Sequence, residues 1–299
     1  MKYFFGLVFS LVFFFESQAQ KQRVTAIIEQ LKNPKDKNVL VIAHRADWRN
    51  SPENSIAAIN NAIELGVDIV EIDVQKTKDG HLIIMHDEKV DRTTNGKGYV
   101  KDYTLDSLKK LFLRNGMGRV TYHKVPTLEE AMLAVKGKVM VNLDKCYEHL
   151  NEAYAILEKT GTVNHAIFKG YYFTPEQVKK DYGHLLDKIF YMAMVRIDEP
   201  GSQKIIDDFQ TLIKPIAFEL SFKNDTSSVI NQFEKIKERG SRVWINSLWA
   251  SLNGGHDDDR SETDIAGSYG WIVGKGTNMI QTDRPKQLLL YLKARHLHP

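Results

Sequence analysis

The chain has 299 residues, a formal net charge of +3 and 26% charged residues, which is the composition of an ordinary globular protein. This excludes a disordered tail, a collagen and a disulfide-stabilised mini-protein, and so weak a charge gives no electrostatic case for nucleic-acid binding. The single cysteine, Cys146, excludes an internal disulfide and a cysteine-rich zinc site. We therefore expect a globular protein that binds no nucleic acid.

The first twenty residues differ in composition from the rest of the chain. Lys2 supplies a positive charge, residues 3–15 are almost wholly apolar, and small residues follow at 17–19. Such a run is too short to span a bilayer and matches the apolar region of a secretory signal. We predict a signal peptide over residues 1–19 and a periplasmic or secreted protein with no stable membrane insertion after cleavage; an uncleaved anchor is the alternative.

Short β-rich runs alternate with amphipathic helical patterns after the lead segment at 20–38. The predicted strands are 39–43, 67–74, 81–85, 138–143, 166–168, 189–195, 215–220, 242–245 and 279–281. The predicted helices are 54–65, 127–135, 149–159, 175–182, 228–239 and 285–292. This alternation is typical of an α/β fold with a parallel sheet, and no linker divides the region, so we predict one domain over 39–299.

Two of the predicted strands are too close in sequence to be parallel. Only a short connection, which ends in TKDG at 77–80, separates the second strand from the third, whereas a parallel crossover needs a dozen or more residues. This pair must be an antiparallel hairpin, and Asp79-Gly80 is a two-residue turn signal. Without the return arm, eight parallel strands remain, which predicts a TIM-type (β/α)8 barrel with a small insertion at about 88–125 near the strand C-termini.

The hairpin also predicts which side chains face each other. With residues 79–80 as the loop, the opposite pairs are Lys78–His81, Gln75–Ile84 and Asp73–His86. Glu71 lies on the same face as Asp73, two residues back. We therefore expect Glu71, Asp73 and His86 to converge, unless a one-residue slip places them on opposite faces.

Three carboxylates lie at the ends of two predicted strands: Glu71, Asp73 and Asp144. Glu-x-Asp alone is a weak signal, and two surface carboxylates are the alternative. However, the active site of a barrel lies at the C-terminal ends of its strands, where Asp144 joins the pair. Carboxylates gathered there are costly unless they are solvated or bound to a cation. We predict that the three hold one divalent metal ion, Ca²⁺ or Mg²⁺, because both prefer oxygen ligands.

Histidine and arginine residues lie at the same predicted strand ends. His44 and Arg45 follow the first strand, and His86 follows the hairpin. Either histidine alone is compatible with a structural role, with metal ligation or with proton transfer. Because the carboxylates already supply ligands for a hard ion, we interpret the histidines as a catalytic acid and base. Arg45 has the planar fork that suits a phosphate or a carboxylate.

The order of these motifs resembles the glycerophosphodiester phosphodiesterase family. The resemblance is dense at VIAHR (41–45), PENS (52–55), GVD (66–68), EIDV (71–74), TKDG (77–80) and HD (86–87), and thinner at 143–144, 243–244 and 280–285. It implies a TIM-type barrel, one divalent ion and hydrolysis of small glycerophosphodiesters to glycerol 3-phosphate and an alcohol. The implied roles are catalysis for His44 and His86, phosphate binding for Arg45, metal ligation for Glu71, Asp73 and Asp144, and a less defined place near the site for Glu53.

The chain departs from the family's pattern at four positions. Ala46 replaces a glycine, which puts a glycine-type backbone conformation in question, and Ser55 replaces a threonine but keeps a hydroxyl for helix capping. Asp144 replaces the usual glutamate ligand, and Cys146 stands where a lysine is usual. We hypothesise that Lys169, which ends the next strand, restores the positive charge beside the phosphate; a solvated surface lysine is the alternative.

Two late segments carry further candidates. Aromatic residues cluster late in the chain, and we predict that they line the alcohol side of the substrate, with Trp244 as the candidate for substrate binding: Trp244, Trp249, Tyr269 and Trp271. Burial in the core is the alternative for Trp244 and Trp271. The sequence HDDD at 256–259 invites a metal interpretation. Consecutive carboxylates lack alternating ligand spacing, so we predict a solvated loop instead.

Three functions remain open at this point. The first is metal-dependent hydrolysis of glycerophosphodiesters, with His44 preferred as the base and His86 as the acid. The second is another phosphodiesterase on the same barrel, phospholipase D-like or phosphoinositol-specific, which an apolar insertion would favour; the polar and basic residues at 95–98 and 109–110 favour soluble substrates. The third is a non-catalytic phosphodiester-binding protein. The sequence does not decide the head group, the ion or the oligomeric state.

Overall fold

The structure is a computed structural model that describes residues 23–299, so the predicted signal peptide at 1–19 lies outside the described residues. The strands are β1 (Leu40–Ala43), β2 (Ile69–Lys76), β3 (Leu82–Ile84), β4 (Met140–Asp144), β5 (Ala166–Gly170), β6 (Phe190–Arg196), β7 (Ala217–Ser221), β8 (Arg242–Asn246) and β9 (Met279–Thr282). The helices are α1 (residues 23–32), α2 (Ile56–Leu65), α3 (Leu105–Leu108), α4 (Leu128–Val135), α5 (Leu150–Thr160), α6 (Pro175–Tyr182), α7 (Ser202–Leu212), α8 (Phe233–Glu238), α9 (Trp271–Gly274) and α10 (Pro285–Lys293).

Eight parallel strands close into a barrel. Hydrogen bonds join them in the order β1-β9-β8-β7-β6-β5-β4-β2, and β2 pairs with β1 to complete the ring. Strand β3 pairs antiparallel with β2 and lies outside the ring. The predicted TIM-type barrel with a hairpin after its second strand is confirmed. The chain from β3 to α4 passes through the insertion, and the outer helices cover the barrel elsewhere.

The predicted register of the hairpin is wrong by one residue. Gln75 lies opposite Ile83, and Lys76 lies opposite Leu82. The reason is a three-residue loop: the Thr77 amide donates to the His81 carbonyl at 2.9 Å, and Gly80 adopts a left-handed φ of +88° at the last loop position. Asp73 therefore pairs with Met85, whose amide bonds its carbonyl at 2.9 Å, and His86 lies on the loop beyond β3.

The inside of the barrel has an apolar layer beneath a polar one. The apolar layer consists of Leu40, Ile42, Ile69, Met140, Ile167, Met192, Ala217, Trp244 and Met279. Two residues further along these strands, and so on the same face, lie His44, Glu71, Asn142, Lys169, Glu219, Asn246 and Gln281. The two-residue period of the strands thus gathers polar groups at the C-terminal mouth of the barrel. The apolar layer beneath them closes the inside of the barrel to water.

Trp244 belongs to the apolar layer. Its side chain is fully buried, and its indole N–H donates to Asn246 Oδ1 at 2.7 Å. The prediction that Trp244 binds substrate is therefore wrong, because the alternation of the strand points this ring into the core and leaves Asn246 to face the mouth.

Helix α1, which the sequence analysis did not identify, closes the N-terminal end of the barrel. Val24, Ile27 and Leu31 are buried against the apolar layer. At the end of this helix, the buried Arg242 guanidinium donates to the carbonyl oxygens of Gln30, Asn33, Asn38 and Asn278. Burial lowers the pKa of Arg242 to about 10, and these carbonyls compensate the buried charge.

The insertion at 88–125 has a small apolar core of its own. That core consists of Ile83, Met85, Val90, Val100, Leu108, Leu113 and Val125. Bridges between Thr94 and Leu113 and between Arg114 and Val120 hold its loops together. Between residues 23 and 299, no helix combines the length and apolar character that a membrane span requires.

Candidate active site

Three carboxylates meet at the mouth of the barrel. Asp73 on β2 and Asp144 on β4 are register partners on neighbouring strands, and Glu71 lies one pleat below Asp73 on the same face. One carboxylate oxygen from each lies within 4.8 Å of the others. The predicted convergence of Glu71, Asp73 and Asp144 is confirmed.

The oxygens of this cluster fit a divalent cation. Glu71 Oε2 accepts from the Arg45 amide at 2.8 Å, and Asp73 Oδ2 accepts from Asn54 Nδ2 at 2.9 Å. Glu71 Oε1 and Asp73 Oδ1 are buried without a partner. Burial, followed by the charges of Asp73 and Asp144, raises the pKa of Glu71 well above its usual range. Since unpaired buried carboxylate oxygens are costly, a hard cation would stabilise the arrangement.

Lys169 lies beside this cluster inside the barrel. Its Nζ is 3.0 Å from Asp144 Oδ2 and 3.1 Å from Glu219 Oε2, and only 3% of the residue is exposed. Burial alone would lower the pKa of Lys169, but the charges of Asp144 and Glu219 raise it well above its usual value. The alternative of a solvated surface lysine is wrong, whereas the role of Lys169 beside the phosphate stays a prediction.

His44 is oriented by an aspartate that follows β9. Its Nδ1 lies 2.7 Å from Asp283 Oδ1, which also accepts from Trp48 Nε1 at 2.6 Å. Because a carboxylate only accepts, Nδ1 carries the proton and Nε2 is left to exchange one. Burial alone would raise the pKa of Asp283, but the hydrogen bonds from His44 and Trp48 lower it below its usual value.

His86 has the same arrangement with a different aspartate. Its Nδ1 lies 2.7 Å from Asp87 Oδ1, and Arg92 donates to both oxygens of Asp87. The hydrogen bond from Arg92, together with that from His86, lowers the pKa of Asp87 well below its usual range. Lys145 follows Asp144 at the end of β4, and its Nζ donates to the His86 carbonyl. This hydrogen bond connects the loop that carries His86 to β4.

Glu53 joins two arginines beside the histidines. Its carboxylate accepts hydrogen bonds from Arg92 at 2.6 and 2.8 Å and from Arg45 Nη1 at 3.1 Å. Burial alone would raise the pKa of Glu53, but Arg92 and Arg45 lower it. The Arg45 Nε atom remains buried without a partner, which suits the predicted role of Arg45 in binding an anion.

The turn after β1 adopts a backbone conformation that glycine would favour. Arg45 and Ala46 have left-handed φ values of +48° and +60°, so Ala46 keeps the conformation at a steric cost. The turn directs the Arg45 amide to Glu71 Oε2 and the Ala46 amide to the Glu71 carbonyl. Downstream, Ser55 caps α2 by accepting from the Ala58 amide at 3.0 Å, as its hydroxyl predicted.

Asp258 and His256 are buried, so the predicted solvated loop at 256–259 is wrong at these two residues. Asp258 accepts hydrogen bonds from the hydroxyls of Ser247, Tyr269 and Thr282 and from the Asp283 amide at 2.7 Å. It therefore supports the aspartate that holds His44. Its carboxylate does not join a metal-type cluster among residues 23–299, where the acidic group at Glu71 is the one found.

Several site residues escaped the sequence analysis. Asp283 and Asp87 lie within the motifs 280–285 and 86–87 but received no role, because the histidine that each holds is known only from the fold. Trp249, by contrast, is one of the late aromatic residues that the sequence analysis named. It is 47% exposed and packs edge-on against His44 with ring centroids 6.2 Å apart. It is thus the tryptophan that borders the mouth, in place of Trp244.

The fold and the site together define a (β/α)8-barrel protein whose mouth carries a carboxylate cluster suited to a metal ion. Comparison with known families is more specific. Residues 44–179 match the glycerophosphoryl diester phosphodiesterase family, which confirms the resemblance. Residues 191–292 match a family described as a domain of unknown function. Both segments are parts of one closed barrel.

Curated relatives match only part of the chain. A glycerophosphodiester phosphodiesterase of Caldanaerobacter subterraneus subsp. tengcongensis is 52% identical over 107 residues, which cover 35% of this chain and 44% of the relative. Human glycerophosphodiester phosphodiesterase 1 is 40% identical over 136 residues, covering 44% of this chain and 40% of the relative. The chain thus spans less than half the length of these relatives.

Solved structures share the whole fold. A glycerophosphoryl diester phosphodiesterase of Parabacteroides distasonis superposes with a TM-score of 0.77 at 23% identity, covering 92% of this chain and 93% of the other. An Oleispira antarctica phosphodiesterase, solved in complex with the product sn-glycerol-3-phosphate, superposes with a TM-score of 0.62 at 21% identity, covering 85% and 96%. At these identities the likeness establishes the barrel.

Proposed function

We propose that this protein hydrolyses glycerophosphodiesters to glycerol 3-phosphate and an alcohol. The observation that carries the proposal is a pair of histidines, each held through Nδ1 by a carboxylate and each linked to the acidic cluster by its neighbours. His44 is linked through Arg45, whose amide bonds Glu71, and His86 is linked through Lys145, which follows Asp144. The family match over 44–179 includes both histidines and supports the substrate class.

The two histidines have complementary proton-transfer roles in this proposal. His44 Nε2 takes the proton from the glycerol 2-hydroxyl or from a water as that oxygen bonds to phosphorus. The bond from phosphorus to the alcohol breaks, and His86 Nε2 gives its proton to the departing alkoxide. When the 2-hydroxyl is the attacking group, this step leaves a cyclic phosphate; a water that gives its proton to His86 then bonds to phosphorus, the bond to the 2-oxygen breaks, and His44 returns its proton to that oxygen to give glycerol 3-phosphate. Asp283 and Asp87 stabilise the imidazolium form of each ring and keep the ring in place.

The carboxylates and cations around the histidines position the phosphate. Glu71, Asp73 and Asp144 would hold one divalent ion, Ca²⁺ or Mg²⁺, which when bound neutralises charge on the phosphate oxygens. Arg45 offers a buried, unpartnered Nε to an anion, and Lys169 adds a second positive charge beside Asp144. The exposed face of Trp249 beside His44 is available to the alcohol group.

The test is an assay of glycerophosphocholine, glycerophosphoethanolamine and glycerophosphoinositol with Ca²⁺ and then with Mg²⁺. We expect release of glycerol 3-phosphate, and a loss of about 10²–10⁴-fold in turnover for His44→Ala and for His86→Ala. The exposed His184 provides a matched control, since His184→Ala should leave turnover unchanged. Full turnover in either active-site variant, or after thorough chelation, would contradict the proposal.

We also propose that the protein is exported to the periplasm or the medium. The basis is the composition of residues 1–20, a charged start followed by an apolar run and small residues. N-terminal sequencing of the protein recovered outside the cytoplasm should begin near Gln20. A cell-associated product that retains Met1 would contradict cleavage.

A further inference from the structure

The positive charge of the chain is concentrated in the insertion. Residues 88–125 contain nine lysines and arginines against four aspartates and glutamates, a net charge of +5, whereas the chain as a whole carries +3. Arg92 and Lys109 pair with acids outside the insertion, Glu53 and Glu130. The others include exposed cations such as Lys97, Lys110 and Arg119, so this part of the surface attracts anions while the remainder of the chain has a slight negative charge.

Apolar side chains project from the same insertion. We call residues 114–122 the tip; it is a tight turn in which Arg114 bridges to Val120 and the Asn115 amide bonds the Arg119 carbonyl at 2.9 Å. Met117 is 77% exposed, Val120 48% and Tyr122 80%. Three large apolar residues exposed within six positions are unusual for a surface turn, because they gain nothing from facing water.

The tip is well held, and it borders the candidate active site. Arg114 donates to the carbonyls of Thr94 at 2.7 Å and Gly118 at 2.8 Å, which fixes the turn to the body of the insertion. A cavity of about 190 Å³ is lined by Trp48, Glu53 and Arg92 together with the tip residues Arg114, Asn115, Gly116 and Gly118. A partner bound to the tip would therefore lie next to the entrance of the site.

We propose that the tip docks on the surface of an anionic phospholipid bilayer. Met117, Val120 and Tyr122 would enter the interface between head groups and acyl chains, and the surrounding cations would bind the lipid phosphates. An apolar group flanked by lysine and arginine is the combination that peripheral membrane binding requires, since neither signal alone is strong. The docked protein would take its substrate at the bilayer surface and would not span the bilayer. The polar motifs at 95–98 and 109–110, which suggested purely soluble substrates, are the charged part of this surface.

The first experiment places a fluorescent reporter on the tip of the full chain. Met117→Cys is labelled with an environment-sensitive nitrobenzoxadiazole probe; the native Cys146 is 1% exposed and is spared. With vesicles of phosphatidylglycerol and phosphatidylcholine, we expect a severalfold rise in emission. The matched control is a label at Leu290→Cys on α10, which is 62% exposed and far from the insertion in sequence. No response at position 117, or an equal response at both positions, overturns the proposal. This criterion is the same whether or not residues 1–22 bind the vesicles.

The second experiment separates the electrostatic part from the apolar part. Each of Arg119→Gln and Lys110→Gln should lower the apparent affinity for the vesicles, as read from the probe emission, by roughly fivefold. Added salt should lower this affinity further. Lys179→Gln on the exposed face of α6 is the control and should have no effect. Equal binding to vesicles of phosphatidylcholine alone overturns the anionic requirement. Binding of an acidic protein in the absence of any vesicle response would assign the tip to a protein partner instead and would also overturn it.

Discussion

Each candidate catalytic histidine depends on neighbouring side chains that hold its ring. Asp283 holds His44, and Asp258 in turn accepts the Asp283 amide. Asp87 holds His86, and Arg92 holds Asp87 at both oxygens. These contacts select the ring nitrogen that exchanges a proton, and they do so before any substrate binds.

Replacement of Asp283 by asparagine should reduce turnover with little loss of stability. The amide can donate to Nδ1 and so favour the wrong tautomer of His44, with an expected loss of about 10²–10⁴-fold in kcat. Asp259→Asn is the matched control, because Asp259 is on the surface and bonds only Arg284. The measurement is steady-state kinetics with urea unfolding of both variants; a kcat equal to the native value would contradict the role of Asp283.

Replacement of Lys169 by methionine should destabilise the barrel. Without its cation, the buried pair Asp144 and Glu219 lacks compensation, and breaking such an arrangement costs about 3–5 kcal/mol of the free energy of unfolding. Lys169→Met combined with Glu219→Gln should recover part of the stability without recovering turnover. The exposed pair of Lys159 and Glu129 supplies the control, since Lys159→Met should cost less than about 1 kcal/mol.

Helix α1 is attached to the barrel by both apolar and polar contacts. Its apolar residues fill the lower mouth, and its terminal carbonyls are bonded by Arg242 on β8. Arg242→Met should leave several buried carbonyl oxygens unpaired, and at about 1–3 kcal/mol for each unpaired group the total loss should be about 3 kcal/mol or more. Arg242→Lys keeps the charge but not the planar fork of the guanidinium. Its free energy of unfolding, measured in urea, should therefore lie between those of the native protein and Arg242→Met. Native stability in the methionine variant would show that apolar packing alone holds α1.

The C-terminal segment is tied to the start of β1 by a pH-dependent contact. His298 Nε2 lies 3.0 Å from Asp68 Oδ2, which also accepts from the Val41 amide at 2.8 Å. Burial alone would lower the pKa of His298, but Asp68 raises it above the ordinary value of 6.5. The stabilisation is therefore complete below pH 6.5 and is lost as the pH rises through the folded-state pKa.

Comparison of the native protein with His298→Ala should reveal that dependence. In urea unfolding, the loss of stability in the variant should be larger at pH 5.5 than at pH 9. His184→Ala removes an exposed histidine and should show no such difference. A loss that grows with pH would mean that His298 is bound in its neutral form.

The complete barrel brings together charges that none of its strands contains alone. Glu71, Asp73 and Asp144 come from β2 and β4, and their unpaired buried oxygens are a cost that every folded molecule carries. A divalent ion that binds only the folded state should therefore stabilise it, by about 2.7 kcal/mol at a concentration 100 times its Kd. Thermal unfolding with Ca²⁺, with Mg²⁺ and with a chelator measures this. The double variant Glu71→Gln, Asp73→Asn should lose the response and Asp259→Asn should keep it; a response that persists in the double variant would place the ion elsewhere.

The sequence by itself determined the order of the strands, six of the helices between and after them, the parallel barrel and the identity of the acidic cluster, but not α1, α3, α7 or α9. These follow from local rules: the two-residue period of a strand determines which side Glu71 and Asp73 face, and a connection too short for a parallel crossover forces the β2–β3 hairpin. The family motifs then indicated His44, His86 and Arg45 by their order along the chain.

Only the tertiary structure decided the remaining contacts. Asp283 meets His44 across more than two hundred residues, Lys169 finds Asp144 and Glu219, and Trp244 falls into the core while Trp249 stays at the mouth. The hairpin register also depended on one left-handed glycine, which turned a predicted two-residue loop into three residues. Local patterns specify the face on which a side chain lies, but its partners depend on which distant strands the closed barrel places beside it.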